Sequence, residues 1–343
     1  MNYLRELRAS TPAGHLVVAT PELYMTMIDG KVLNSITGTS SNCCAVCGAP
    51  PSLFNVLANL GTDVFEPIEG ALNYGISPLH CWLNTFNHLL KLSYRLPIGQ
   101  SRIQGEANKR ICRQRKREIQ TDLKSEFGIR VDFPNPNGTG NSNNGNCARR
   151  AFQNPVQFAQ ILGLDPELVT DIKVLLICIS SRYKINADAY EAFAQDVLRR
   201  YIDLYGWFPL NPTLHKLIVH GSQVARNLPL PPAWFTEEGL EASHKTNKKT
   251  RRDHCRPFRR DMTMTDMLNR ALDRSDPVIA MMALERSSKF QRFHLIPEAA
   301  RNLLIFEDEG PEPEDAAENE DDVHNNMLDA ALDGYFVNNE DDI

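Results

Sequence analysis

Two pairs of side chains, far apart in the chain, restrict the fold more than any other feature: Cys44 and Cys47 in CAVC, and His215 and His220 in HKLIVH. A two-residue reverse turn aims both sulfurs of a CxxC at one point, and a histidine pair at this spacing is the usual complement in a Cys2His2 zinc site. If the pairs meet, they form a structural site that closes a very long loop. The same spacing also describes a reduced core CxxC and two histidines on a helix surface, so spacing alone leaves both readings open.

Between the pairs the apolar spacing is helical. From Pro78, PLHCWLNTFNHLLKLSYRL puts Leu79, Leu83, Phe86, Leu89 and Leu90 on one stripe, and Pro78 suits a first helical turn. Residues 107–127 give a second amphipathic helix with Lys109, Arg110, Arg113, Arg115, Lys116 and Arg117 on its exposed side, either a solvated face or a phosphate-binding one. Helical patterns resume over 156–163, 167–182, 187–206 and 213–227, and a last helix covers 263–287. The β content is small: HLVVATPELYMTMI (15–28) gives one or two strands ending at Asp29. TGTSSNCCAVCGAPPS (37–52) and FPNPNGTGNSNNGN (133–146) are loops.

The chain has 343 residues, 42% hydrophobic and 23% charged, the balance of a globular protein with a sizeable core. It holds no run of about 18 apolar residues, so no membrane span is expected. MNYLRELRAS lacks an apolar signal core, which argues against secretion. Eight cysteines are too sparse for a disulfide scaffold, and most suit small core positions. The net charge of −6 conceals a segregation: residues 302–343 hold 15 of the 43 acidic residues and no Lys or Arg, leaving 37 basic against 28 acidic before them, a net +9. A basic body meets nucleic acid or acidic partners, and the Glu/Asp/Asn/Pro-rich stretch beyond 306 has a disordered composition.

TEEGLEASHKTNKKTRR (236–252) carries the other candidate chemistry. Thr236 suits an N-cap, and Glu238 and Glu241 share one helical face in the first turns, where the helix dipole alone accounts for them. Yet residues 245–260 hold Lys245, Lys248, Lys249, Arg251, Arg252, Arg256, Arg259 and Arg260 against the single acid Asp253. A carboxylate that binds Mg²⁺ and cuts a phosphodiester needs such cations beside it to hold the polyanion. Asp29 has two readings as well, a displayed carboxylate at a strand end or the commonest turn dipeptide, Asp-Gly. No nucleophile elbow, P-loop or dinucleotide fingerprint is present.

The order of these motifs, Asp then CxxC, a later HxxxxH, then EGxExxxK, resembles the catalytic subunit of the RAG recombinase and the RAG-like and Transib transposases. LHC at Leu79, His80 and Cys81 and NGNxAR at Asn144, Gly145, Asn146, Ala148 and Arg149 agree with it, and the likeness runs from about residue 24 to 280. The resemblance implies a ribonuclease H-like DDE core, cut short here (1–43), interrupted by a mainly helical zinc-binding insertion (44–230). A catalytic-type helix with basic helices (231–305) and an acidic tail (306–343) follow. It implies Asp29 and Glu241 as catalytic carboxylates for Mg²⁺ or Mn²⁺, and Cys44, Cys47, His215 and His220 as ligands of a structural zinc. Nucleic-acid contacts fall on Arg149, Lys245, Lys248, Lys249, Arg251, Arg252 and Arg256. Duplex DNA is the implied partner, with homodimeric assembly and a nuclear location.

One departure bears on activity. The family's first aspartate lies well upstream of the second, but the 28 residues before Asp29 hold only Glu6 and Glu22 as carboxylates. The expectation is therefore a transposase-like chain that does not nick DNA alone. A non-catalytic zinc-stabilised DNA- or chromatin-binding protein is the alternative, and a protein-interaction scaffold whose basic helices pair with its own acidic tail is a third.

Overall fold

The computed structural model describes residues 7–10, 16–19, 30–134, 141–235, 247–276, 278–279 and 296–306. Among these the chain is mainly helical, as the apolar periodicity requires. The helices are α1 (Gly30–Ile36), α2 (Pro51–Phe54), α3 (Pro78–Arg95), α4 (Gly105–Phe127), α5 (Gly145–Gln153), α6 (Pro155–Leu162), α7 (Pro166–Ser180), α8 (Ala187–Tyr205), α9 (Pro212–Asn227), α10 (residues 247–253), α11 (Arg260–Ser275) and α12 (Glu298–Arg301). The described strands form two separate antiparallel pairs: β1 (Leu7–Ser10) with β2 (Leu16–Ala19), and β3 (Lys184–Ile185) with β4 (Leu304–Ile305).

Asx and Ser caps set most of the helix starts. Ser77, Asn144, Asn154, Asp165, Asn186 and Asn211 each accept a backbone N–H from the first turn, and proline follows at N1 or N2 in α3, α6, α7 and α9. The central helix, α3, packs against α4, α5, α6, α7 and α9. It buries Cys81, Trp82, Phe86, Leu89 and Leu90, and the Trp82 indole donates to Ser180 Oγ at 2.8 Å.

Among the described residues α8 packs extensively against α9. A Cβ on Gly221 would lie 2.5 Å from Tyr190 Cε1, and the buried Tyr190 hydroxyl donates to the Leu217 carbonyl at 3.0 Å. Glycine is thus required where the ring crosses α9. Gly221→Ala is expected to destabilise the protein by about 1–3 kcal/mol through overpacking; an unchanged midpoint in denaturant would show that the crossing tolerates a methyl group.

The helical body also takes in residues beyond the expected boundary at 230. The turn Pro232–Phe235 and α12 both pack on α7, Ala300, Leu303 and Leu304 are buried, and Asn186 N donates to Leu303 O at 2.9 Å. The described segments that flank 236–295, the stretch with Glu241 and the basic cluster, thus both pack on α7.

Several expectations need correction. The loop placed at 133–146 ends at Asn144, because that residue caps α5, a helix the periodicity did not show. Of the one or two strands placed over 15–28, Leu16–Ala19 is a strand as expected, and residues 15 and 20–28 lie outside the described residues; the unforeseen elements are its partner strand at Leu7–Ser10 and the helix that begins at Gly30. Arg115 and Lys116 are not on the exposed side of α4. Arg115 is half-buried and donates to Ile161 O at 3.0 Å, while Lys116 reaches Asp132 at 3.1 Å and lies over the Tyr94 ring. The helix placed at 263–287 starts at Arg260 and is described to Ser275, with 278–279 also helical.

Candidate metal centre

The two pairs meet. Cys44, Cys47, His215 and His220 each offer one ligand atom, and these atoms all lie within 4.8 Å of one another. The cysteines sit in a tight turn before α2. Gly48 N donates to Cys44 O at 2.7 Å, Cys44 N to Ala49 O at 2.9 Å, and Val46 N points at Cys44 Sγ at 3.4 Å. Gly48 has φ 74°, left-handed backbone that a side chain would strain. The amide directed at the sulfur favours its thiolate form.

The histidines come from α9. Asn211 caps this helix and Pro212 opens it, which places His215 in its first turn and His220 further along. Both rings are buried, with centroids 5.3 Å apart. Phe54 of α2 stacks on His215 at 4.0 Å and 13°, and Phe65 meets it edge-on at 4.7 Å, so the ring is held between aromatic walls.

Several observations test whether the set fits a metal ion. Cys47 Sγ lies 3.6 Å from His215 Nε2. Tetrahedral coordination with metal–sulfur bonds of about 2.3 Å and metal–nitrogen bonds of about 2.05 Å places neighbouring S and N ligands about 3.6 Å apart. His220 Nδ1 is 2.7 Å from Gln223 Oε1, an acceptor that fixes the proton on Nδ1, while His220 Nε2 is buried with no hydrogen-bond partner. That is the arrangement in which an outer carbonyl orients a ligating imidazole. Leaving such a nitrogen unsatisfied costs about 1–3 kcal/mol, which a cation would relieve. His215 Nδ1 is likewise buried without a partner.

The thiols behave as a coupled pair. Cys44 is held well below the ordinary thiol range, first by its hydrogen bond with Cys47 and then, against burial, by His215 and His220. Cys47 is pushed far up by the hydrogen bond with Cys44, by burial and by the Cys44 charge. Burial also lowers the pKa of His215, which keeps its imidazole neutral and able to ligate. A divalent cation with two thiolates and two neutral imidazoles forms a charge-neutral group that can be buried.

The remaining candidates divide by position. Asp29, Glu238, Glu241 and Lys245 lie outside the described residues. Lys248, Lys249, Arg251 and Arg252 are exposed on α10 and Arg256 is exposed beyond it; Arg252 pairs with Asp253 and Arg256 with Asp266. Arg149 is half-buried on α5. Sequence reasoning missed Gln223, Phe54 and Phe65. Gln223, three residues after His220 on the same helix, was the one with a readable signal.

The fold and site define a helical body organised around a buried Cys2His2 cluster able to hold a metal ion. No protein-family model matches the chain, and no curated protein matches it.

Proposed function

We propose that this chain is a DNA-binding module of the RAG and Transib type of DDE transposase, with zinc in the Cys44, Cys47, His215 and His220 cluster. Asp29 and Glu241 belong to its ribonuclease H-like, Mg²⁺- or Mn²⁺-dependent part. The meeting of CxxC with HxxxxH carries the reading, because the resemblance implies this ligand set. A set of two thiolates and two imidazoles suits zinc. The two other shared stretches also touch: a Cβ on Gly145 of NGNxAR would lie 2.6 Å from Leu79 Cδ1 of LHC. The exposed cations at 248–252 suit a phosphate backbone. Asp29 and Glu241 would hold a divalent ion, which would supply an activated water for strand nicking; the exposed basic residues would hold the polyanion.

Fluorescence anisotropy with a labelled duplex, titrated with salt, tests the binding, and conversion of supercoiled plasmid in Mg²⁺ or Mn²⁺ tests the chemistry. Binding that weakens steeply with salt is expected, and any nicking is expected to disappear in Glu241→Ala. Duplex binding that survives Glu241→Ala in a chain with no nicking would select the non-catalytic DNA- or chromatin-binding reading. A chain that binds no duplex at low salt would overturn the proposal.

A further inference from the structure

Helix α4 presents two different faces. Cys112, Ile119 and Leu123 are buried along one side. On the opposite side Arg110, Arg117 and Lys124 are exposed, and none of the three makes an ion pair among the described residues. They recur every seventh position, so each is within about 20° of the last around the helix and about 10.5 Å further along it. The row is therefore nearly straight and about 21 Å long. Arg113 stands beside it, 3.7 Å from Glu106. Glu106, at the N-terminal end, is taken by Lys109 at 2.7 Å.

The fold accounts for the other cations of α4 but not for these. Arg115 ties α4 to the end of α6, and Lys116 neutralises Asp132. Arg110, Arg117 and Lys124 have no such duty, and lining them up costs a little mutual repulsion. Their regular spacing along a straight rod matches a stiff polyanion. Each strand of a duplex presents one charge per about 3.4 Å of axis, so cations about 10.5 Å apart can each meet a different phosphate.

We infer that the outward face of α4 is a second nucleic-acid backbone site, in which Arg110, Arg117 and Lys124 contact duplex phosphates alongside the separate cations at 248–251. The inference rests on the DNA-binding reading above and adds a surface to it. An acidic peptide, including the chain's own residues 307–343, is the competing class of occupant. Its carboxylates carry no phosphate backbone for the row to follow.

The test is the salt dependence of duplex binding by the full chain. The triple variant Arg110→Gln, Arg117→Gln, Lys124→Gln alters exposed positions only, and its melting temperature should equal that of the unaltered protein. Its slope of log K against log salt should fall by about 2.7, about 0.9 for each phosphate lost, with at least a tenfold loss of affinity at low salt. The variant Lys248→Gln, Lys249→Gln, Arg251→Gln should lower the slope separately, and the combined variant should lower it by the sum. An α4 variant that binds with the unaltered slope while the 248–251 variant weakens would overturn this inference and leave the DNA-binding reading intact; an acidic-peptide occupant gives that outcome. A parent protein that binds no duplex would sink both.

Discussion

Stripping the metal from the full chain with a strong chelator is expected to lower its melting temperature by about 10–20 °C. Cys47 and His215 are separated by 168 residues, and a cross-link closing a loop of that length removes about 5 kcal/mol of chain entropy from the unfolded state. For a helical body of this size that corresponds to the stated shift. The loss has a local component as well. Without a cation the His220 Nε2 lone pair stays buried and unpaired, and the lowered Cys44 thiol has no cation beside it. Cys44→Ser and His220→Asn should each reproduce most of the loss, and the chelator should then add little, because three remaining ligands hold the ion too weakly to keep the loop closed. Cys255→Ser, at a partly exposed cysteine outside the cluster, should be silent. Metal analysis should find one ion per chain, and loading should release protons, so apparent affinity falls as pH falls. A loaded protein whose melting temperature ignores the chelator would remove the cluster from any structural role.

How much of this was legible in the sequence depended on whether the information was local. The long helices were, because their apolar stripes repeat at 3.6 residues over many turns: α7, α8 and α9 fall within two residues of the periodic segments at each end. Helix α5 was not, since its first turn, GNCARR, reads as a continuation of an Asn- and Gly-rich loop; only the Asn144 cap marks it. The ligand quartet was legible as two chelating pairs, but their meeting was not. Residues five apart on an ideal helix point about 140° away from each other, and a partner 168 residues distant sets no local pattern. The cations of α4 show the same limit. Arg113, Arg115, Lys116 and Arg117 read alike along the chain, and only the positions of Ile161 and Asp132 decide that the middle two turn inward.

Acid should unfold the protein partly through His88. This ring is buried in α3, and its Nε2 lies 2.8 Å from the Tyr201 hydroxyl. That hydroxyl donates to Phe208 O at 2.9 Å, so its proton is committed and His88 Nε2 must carry the hydrogen between them. The imidazole is therefore held neutral, and burial, with the nearby Lys91 and Arg95 charges, lowers its pKa from 6.5 to about 3. Between those values the unfolded chain binds a proton there that the folded chain does not, so stability falls as pH falls. The slope from this one group is about 1.4 kcal/mol per pH unit, which makes its full effect several kcal/mol by about pH 3. Above pH 6.5 both states are neutral at this position and the contribution is flat. His88→Gln keeps an N–H donor at the position of Nε2 but cannot titrate. In chelator, where the metal centre no longer adds its own acid sensitivity, this variant should lose about one proton from the slope of unfolding free energy against pH between 6.5 and 4. Its stability at pH 8 should move little by comparison. Equal slopes for the two proteins would mean that His88 takes up its proton in the folded state, and that the bond to Tyr201 does not hold it neutral.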